Sequence, residues 1–189
     1  MKRRFMKNNK GYSLVEMIIC IAIIAILSSV AFVTVSMINS AKAKDAAVNF
    51  NSVVSETISK AKGQMCVVNG VEEPTYKRCL HLYLDDSSGR YYLKIGYYNP
   101  DGLTDADKYI FVDSENKNEG KGNNLTAKVS IQYKDLDGNK STIDSDGVYI
   151  IFNKNGTCYE GAGLFEFYKR NGNLVDEVSI KTNGSHQLY

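Results

Sequence analysis

The chain has 189 residues, with 23 Lys+Arg, 21 Asp+Glu and 2 His, a formal net charge of +2. Five of the basic residues (Lys2, Arg3, Arg4, Lys7 and Lys10) stand in the first eleven positions, which hold no acid; without them 18 basic face 21 acidic side chains, a net of −3. That balance excludes a broadly cationic nucleic-acid binder, and the length allows one domain with a sizeable core beyond a membrane segment.

After the basic segment the chain turns apolar. From Leu14 to Val35 the only charge is Glu16, and polar interruptions are limited to Cys20, Ser28, Ser29 and Thr34. A run of more than 20 such residues, at 1.5 Å per residue, crosses the roughly 30 Å of a bilayer's hydrocarbon. Positive flanks stay cytoplasmic, so the rest of the chain is expected to face outward. One reading of this start is an ordinary secretory signal, cut after the apolar run near Ser28-Ser29-Val30-Ala31 or Ser36. Glu16 argues for another. A carboxylate near the membrane end of an apolar helix costs on the order of 1–3 kcal/mol. It needs a partner, and no Lys or Arg follows until Lys42.

The stretch Lys10-Gly11-Tyr12-Ser13-Leu14-Val15-Glu16 resembles the processing site of type IV prepilins and type II secretion pseudopilins. The resemblance implies cleavage by a membrane prepilin peptidase between Gly11 and Tyr12, and N-methylation of the new first residue, Tyr12. Phe or Met is commoner there. It also implies that Glu16 pairs with the free amine of a neighbouring subunit, which offsets the charge of the buried carboxylate. The expected product is a filament subunit. It waits as a single-pass membrane protein with a cytoplasmic N-terminus, then joins other pilin subunits in a cell-surface filament serving adhesion, motility, secretion or DNA uptake. The Pro usual in such a helix is missing, Val33 standing near its place.

The helix is expected to continue past the membrane. Ser36 to Lys62 holds no Pro or Gly, and Ala43, Ala47, Phe50, Val54, Ile58, Ala61 and Met65 recur at spacings of three or four, one apolar face. Lys60 and Lys62 suit the last turn, and Gly63 is a plausible stop. One helix over residues 12–62 would be about 75 Å long if straight.

From Gln64 the period becomes two. Leu80, Leu82 and Leu84 alternate with His81 and Tyr83; Leu93, Ile95 and Tyr97 with Lys94 and Gly96; Val129, Ile131 and Tyr133 with Lys128, Ser130 and Gln132. Each reads as a half-buried strand. Tyr109 to Val112 is a shorter candidate, and the nearly all-apolar Val148 to Phe152 reads as a central strand. Leu164 to Lys169 and Leu174 to Ile180 flank the turn signal Asn171-Gly172; Asp137-Gly138-Asn139 and Lys154-Asn155-Gly156 mark further hairpins. The charged, Gly-rich Asp113 to Asn124 reads as a mobile loop.

These elements predict an α+β, pilin-like fold: a long N-terminal helix, half membrane and half amphipathic, packed on an antiparallel β-sheet or small β-sandwich. Residues 1–11 form the leader, 12–35 the transmembrane or filament-core helix, 36–63 its amphipathic continuation and 64–189 the β-rich domain. The strand pattern from Val148 to Ile180, with Asn183-Gly184, also resembles the tail of the minor pseudopilins grouped as GspH/FimT. Those carry two packed sheets behind the helix, and some related minor pilins bind DNA.

Four cysteines occur. Cys20 in the apolar helix reads as a small filler. Among Cys66, Cys79 and Cys158, a Cys66–Cys79 disulfide closing a short loop is the favoured pairing, three reduced core thiols the alternative. No CxxC, Ser-His-Asp grouping, nucleophile elbow, phosphate loop or HExxH is found, so no enzyme, catalytic residue or resident metal is expected. Asp135-Leu136-Asp137-Gly138-Asn139 and Asn99 to Asp107 carry oxygen ligands at alternate positions that could take calcium, though plain turns explain them better. Lys169, Arg170, Lys181 and His186 are candidate DNA phosphate contacts for a DNA-binding minor pilin of a competence system; solvated turn charges are the plainer explanation. A secreted adhesin with an ordinary signal peptide is the remaining alternative.

Overall fold

The computed structural model describes residues 13–68, 70–112, 116–118, 120–127, 129–169 and 172–189. It divides into two units, Met1–Ile38 and Asn39–Tyr189. Helix α1 runs Leu14–Gly63, within two residues of its expected ends. In the first unit it is apolar on every side. Its large apolar side chains are all substantially exposed, from 48% at Ile38 to 78% at Phe32. Its hydroxyls are satisfied by its own backbone: Ser28 Oγ donates to the Ile24 carbonyl at 2.7 Å, Ser29 Oγ to Ile26 at 2.7 Å and Thr34 Oγ1 to Val30 at 2.9 Å. Such back-bonding removes the cost of a polar group in an apolar medium.

In the second unit one face of α1 is buried: Ala43, Ala46, Ala47, Phe50, Val53, Val54, Thr57, Ile58 and Ala61. The expected stripe is there and is wider by Ala46, Val53 and Thr57. Thr57 enters the core because its Oγ1 donates to the Val53 carbonyl at 2.7 Å. Met65, expected on that face, lies beyond the helix and is 46% exposed.

The strands are antiparallel and form two larger sheets and a small hairpin. The hairpin pairs β1 (Val67–Val68) with β2 (Val71–Glu72). The first sheet contains β3 (Lys77–Asp85), β4 (Arg90–Tyr98), β5 (Tyr109–Ile110), β6 (Asn123–Ala127), β9 (Val148–Phe152) and β10 (Cys158–Glu160). Its order is β10-β9-β3-β4-β5, with β6 also paired to β4. The second contains β7 (Val129–Lys134), β8 (Lys140–Thr142), β11 (Gly163–Lys169), β12 (Leu174–Ile180) and β13 (His186–Leu188), in the order β13-β12-β11-β7-β8. A short helix α2 (Asp105–Lys108) precedes β5.

Register follows from the period-two pattern. Leu80 sits opposite Ile95 and Ile150, and Leu82 opposite Leu93 and Val148. A slip of one residue would turn all of these away from the core. In the second sheet Phe165 pairs with Tyr133 and Val178, and Phe167 with Ile131. The core gathers Phe50, Val54 and Ile58 from α1, Leu80, Leu93 and Ile150 from the first sheet, and Ile131, Phe165 and Val178 from the second. Phe50 is the joint, its ring centroid 4.7 Å from Phe165 and 5.6 Å from Phe167. The fold is therefore α+β and pilin-like, with a long N-terminal helix packed on antiparallel sheets.

The opposite face of the first sheet is aromatic. His81 stacks on Tyr149 at 4.2 Å and on Tyr83 at 4.9 Å, and Tyr149 on Tyr109 at 3.8 Å.

The stretch expected to be a mobile loop is tied down where it is described; residues 113–115 and 119 lie outside the described residues. Asn116 completes the β4 ladder between β5 and β6. Its Oδ1 accepts from the Ile95 N–H at 2.9 Å and its Nδ2 donates to the Ile95 carbonyl at 2.9 Å. Strand β6 begins at Asn123, inside that stretch. A local side chain thus replaces a strand partner, which composition alone does not reveal.

Candidate processing and assembly site

The site is built on the first turn of α1. A helix leaves its first N–H groups without intrahelical acceptors, and a Ser or Thr followed three residues later by Glu or Gln can satisfy two of them reciprocally. Ser13 and Glu16 do this. The Ser13 N–H donates to Glu16 Oε2 at 2.8 Å, and the Glu16 N–H donates to Ser13 Oγ at 3.2 Å. The Ser13 carbonyl accepts the first helical bond, from the Met17 N–H at 3.2 Å. Glu16 is thereby held at the helix's positive end, where a carboxylate is favoured.

A carboxylate has about four acceptor positions on two oxygens, so one bond from Ser13 leaves most of its capacity unused. Glu16 makes no ion pair among the described residues. Gly11 and Tyr12, the expected cleavage and methylation positions, lie outside them, as does the basic leader. Ser13 is the residue whose role the motif did not disclose. The signal was present as Ser-x-x-Glu at the opening of an apolar run.

The other candidate residues are not brought together. The expected Cys66–Cys79 bridge does not form: Cys66, Cys79 and Cys158 are all buried thiols. Cys79 is fixed in mid-strand, between Gly96 of β4 and Ile151 of β9. Cys66 stands before β1, where its Sγ donates to the Tyr76 carbonyl at 3.4 Å. Burial, reinforced by Glu160, pushes the Cys79 thiol far up. Burial likewise raises Cys158, to about 11. Such thiols stay protonated and poorly nucleophilic.

Lys169 and Lys181 stand at opposite ends of the β11–β12 hairpin. Gly163 pairs with Ile180, next to Lys181, while Lys169 is six positions further along β11, about 20 Å at strand rise. His186 pairs with Ile180, at the Lys181 end. Arg170 lies outside the described residues. The basic cluster suggested by chain proximity is therefore split, because residues flanking a hairpin's two connections are separated by the length of its strands.

In each of the two oxygen-rich stretches one carboxylate is bonded within its own turn. Asp135 Oδ1 accepts from the Asn139 N–H at 2.8 Å and Oδ2 from Asn139 Nδ2 at 2.9 Å. Asp107 Oδ2 accepts from the Thr104 hydroxyl at 2.6 Å and the Thr104 N–H at 3.2 Å, capping α2. Among the described residues no group of three or more His, Cys, Asp or Glu is arranged to hold a metal ion.

The family model of the prokaryotic N-terminal methylation motif matches residues 6–32. No curated protein and no solved structure matches the chain. The matched segment spans the basic leader's end, the capped Glu16 and the apolar turns that follow, and fits a single-pass membrane anchor. The chain thus carries at its N-terminus the methylation motif characteristic of type IV prepilin-like proteins.

Proposed function

We propose that the chain is a type IV pilin-like structural subunit, processed by a prepilin peptidase after Gly11, methylated at Tyr12 and assembled into an extracellular or envelope-spanning filament. The observation that carries this reading is Glu16. It is a carboxylate capped by Ser13 in the first turn of a helix whose large apolar side chains, from Leu14 to Ile38, are all left exposed by its own chain. Lipid covers such a surface before assembly, and neighbouring helices cover it afterwards. Cleavage after Gly11 would create an ammonium one residue before Ser13, a counter-charge for the Glu16 of an adjoining subunit. The leader would remain cytoplasmic and Asn39–Tyr189 would face outward. Mass spectrometry of the mature N-terminus tests the proposal. A start at Tyr12 carrying one methyl group supports it. A start beyond Ser28 overturns it in favour of ordinary secretion.

A further inference from the structure

Four asparagines stand two residues before a Ser or Thr with no Pro between: Asn124, Asn139, Asn155 and Asn183. In an exported chain that spacing is the acceptor signal for an N-linked glycan. The signal is short, so burial and bonding decide among the four. Asn124 lies half-buried in β6, and the next residue, Leu125, is 1% exposed and belongs to the core. Asn139 is held by its own turn, its Nδ2 donating to Asp135 Oδ2 at 2.9 Å, and Ser141 of β8 is paired with Tyr133. Asn155 and Asn183 are exposed, in the turns between β9 and β10 and between β12 and β13. Only their Oδ1 atoms are engaged; neither Nδ2 donates a hydrogen bond among the described residues.

The two turns repeat one design. The Gly156 N–H donates to the Asn153 carbonyl at 2.8 Å, and the Asn153 N–H to the Thr157 carbonyl at 2.9 Å. Likewise the Gly184 N–H donates to the Lys181 carbonyl and the Lys181 N–H to the Ser185 carbonyl, both at 2.9 Å. Each asparagine Oδ1 then receives two donors from the hydroxyl residue. The Thr157 N–H and Oγ1 reach Asn155 Oδ1 at 3.0 and 2.7 Å. The Ser185 N–H and Oγ reach Asn183 Oδ1 at 2.9 and 2.8 Å. Asn153 Nδ2 donates to Thr157 Oγ1 at 2.9 Å, which turns that hydroxyl's own proton toward Asn155. The backbone turn does not require the hydroxyl. The hairpins closed by Asp135 with Asn139 and by Lys169 with Asn173 make the same two backbone bonds and carry Asn after the glycine.

An amide nitrogen is a poor nucleophile until it sheds a proton, and the charge of the resulting anion sits largely on its oxygen. Two donors fixed on Oδ1 favour that form and leave Nδ2 unengaged. The turns also abut, since a Cβ on Gly184 would collide with the Gly156 carbonyl. We propose that Asn155 and Asn183 are acceptors for N-glycosylation from a lipid-pyrophosphate-linked oligosaccharide. A base of the transferase takes a proton from Nδ2, and Nδ2 bonds the anomeric carbon. The bond from that carbon to the pyrophosphate oxygen breaks, its electron pair leaving with the phosphate. The donor class rests on the outward placement of Asn39–Tyr189. The turns exist only once that unit has folded outside, where activated sugars are carried by membrane lipid and not by cytosolic nucleotides.

Glycopeptide mass spectrometry of the full-length protein, isolated from the cells that export it, tests the assignment. We expect an oligosaccharide on Asn155 and Asn183 and none on Asn124, Asn139 or Asn171. Asn171-Gly172-Asn173 shares the Asn-Gly dipeptide and lacks the hydroxyl, so a change that follows Asn-Gly alone, such as deamidation, marks it equally. Thr157→Ala should abolish the glycan on Asn155 and Thr157→Ser should keep it, while Asn183 in the same chains stays modified. A glycan that survives Thr157→Ala, or a single sugar in place of an oligosaccharide, overturns the proposal. Bare Asn155 and Asn183 overturn it whichever N-terminus the same spectra show, so its failure is separate from that of the filament reading.

Discussion

Ser13 and Glu16 exchange hydrogen bonds across the first turn of α1, at 2.8 and 3.2 Å. The acid is therefore oriented by its own chain before any neighbour arrives. Its observed role as cap acceptor and its proposed role as counter-charge can be separated by substitution. Glu16→Gln keeps an oxygen for the Ser13 N–H and removes the charge. If charge pairing drives assembly, filament recovered by shearing should fall at least tenfold in both Glu16→Gln and Glu16→Ala. Ser13→Ala removes one cap bond, about 1 kcal/mol, and should reduce yield far less. Wild-type yield from Glu16→Gln would show that the charge is not used.

Phe50 joins the helix to the second sheet through Phe165 and Phe167. It is fully buried, and truncation leaves a cavity that rigid strands cannot close. Phe50→Ala should destabilise the chain by about 3–5 kcal/mol. Ser55→Ala, on the exposed face, should stay within about 0.5 kcal/mol. Denaturant unfolding followed by tyrosine fluorescence gives both values.

Gly147 has φ +70°, and a Cβ there would meet the Leu82 carbonyl. Gly70 has φ +81° with open space around it. Alanine at either site bears a left-handed backbone cost of about 1–2 kcal/mol. Only Gly147→Ala also forces β3 to move, so it should lower the melting temperature clearly more than Gly70→Ala.

Two groups, the half-buried His81 and the buried Glu166, predict acid sensitivity in two steps. Burial between Tyr83 and Tyr149 lowers the His81 pKa below its ordinary 6.5; the Asp146 carbonyl opposes the shift and Lys94 adds to it. The unfolded chain then binds the proton first, so stability falls as pH drops through 6.5 and levels off below the folded value. Glu166 is 5% exposed. Burial alone would raise its pKa, but Lys140 Nζ at 2.8 Å and Tyr168 Oη at 2.6 Å hold it below the ordinary 4.5. Its contribution is complete above 4.5 and is lost as pH falls through the lowered value. Chemical unfolding across pH 7.5 to 3 should show both declines. His81→Gln should flatten the upper one and Glu166→Gln the lower.

Local pattern carried most of the elements. The spacing of Ala43, Ala47, Phe50 and Val54 marked the helix face, because an apolar stripe of period 3.6 has one way to be buried. Alternation placed β3, β4 and β7 for the same reason at period two, and the Asn171-Gly172 turn signal placed β11 and β12 on either side of it. The edge strands β8, β10 and β13 and the hairpin β1–β2 are only two or three residues long, too short for alternation to register. Strand β6 begins inside a charged, Gly-rich stretch that masked it, and it pairs along β4.

The N-terminal motif was legible in the sequence alone. A basic segment, a glycine, and one acid at the head of more than twenty apolar residues are read from local spacing and composition, without any residue distant in the chain. Everything that required residues far apart in the chain to meet was decided by the tertiary structure. Strand pairing kept Cys66 and Cys79 as separate thiols, and the length of β11 and β12 parted Lys169 from Lys181. Periodicity reports which face of an element is buried; only packing determines what that face is buried against.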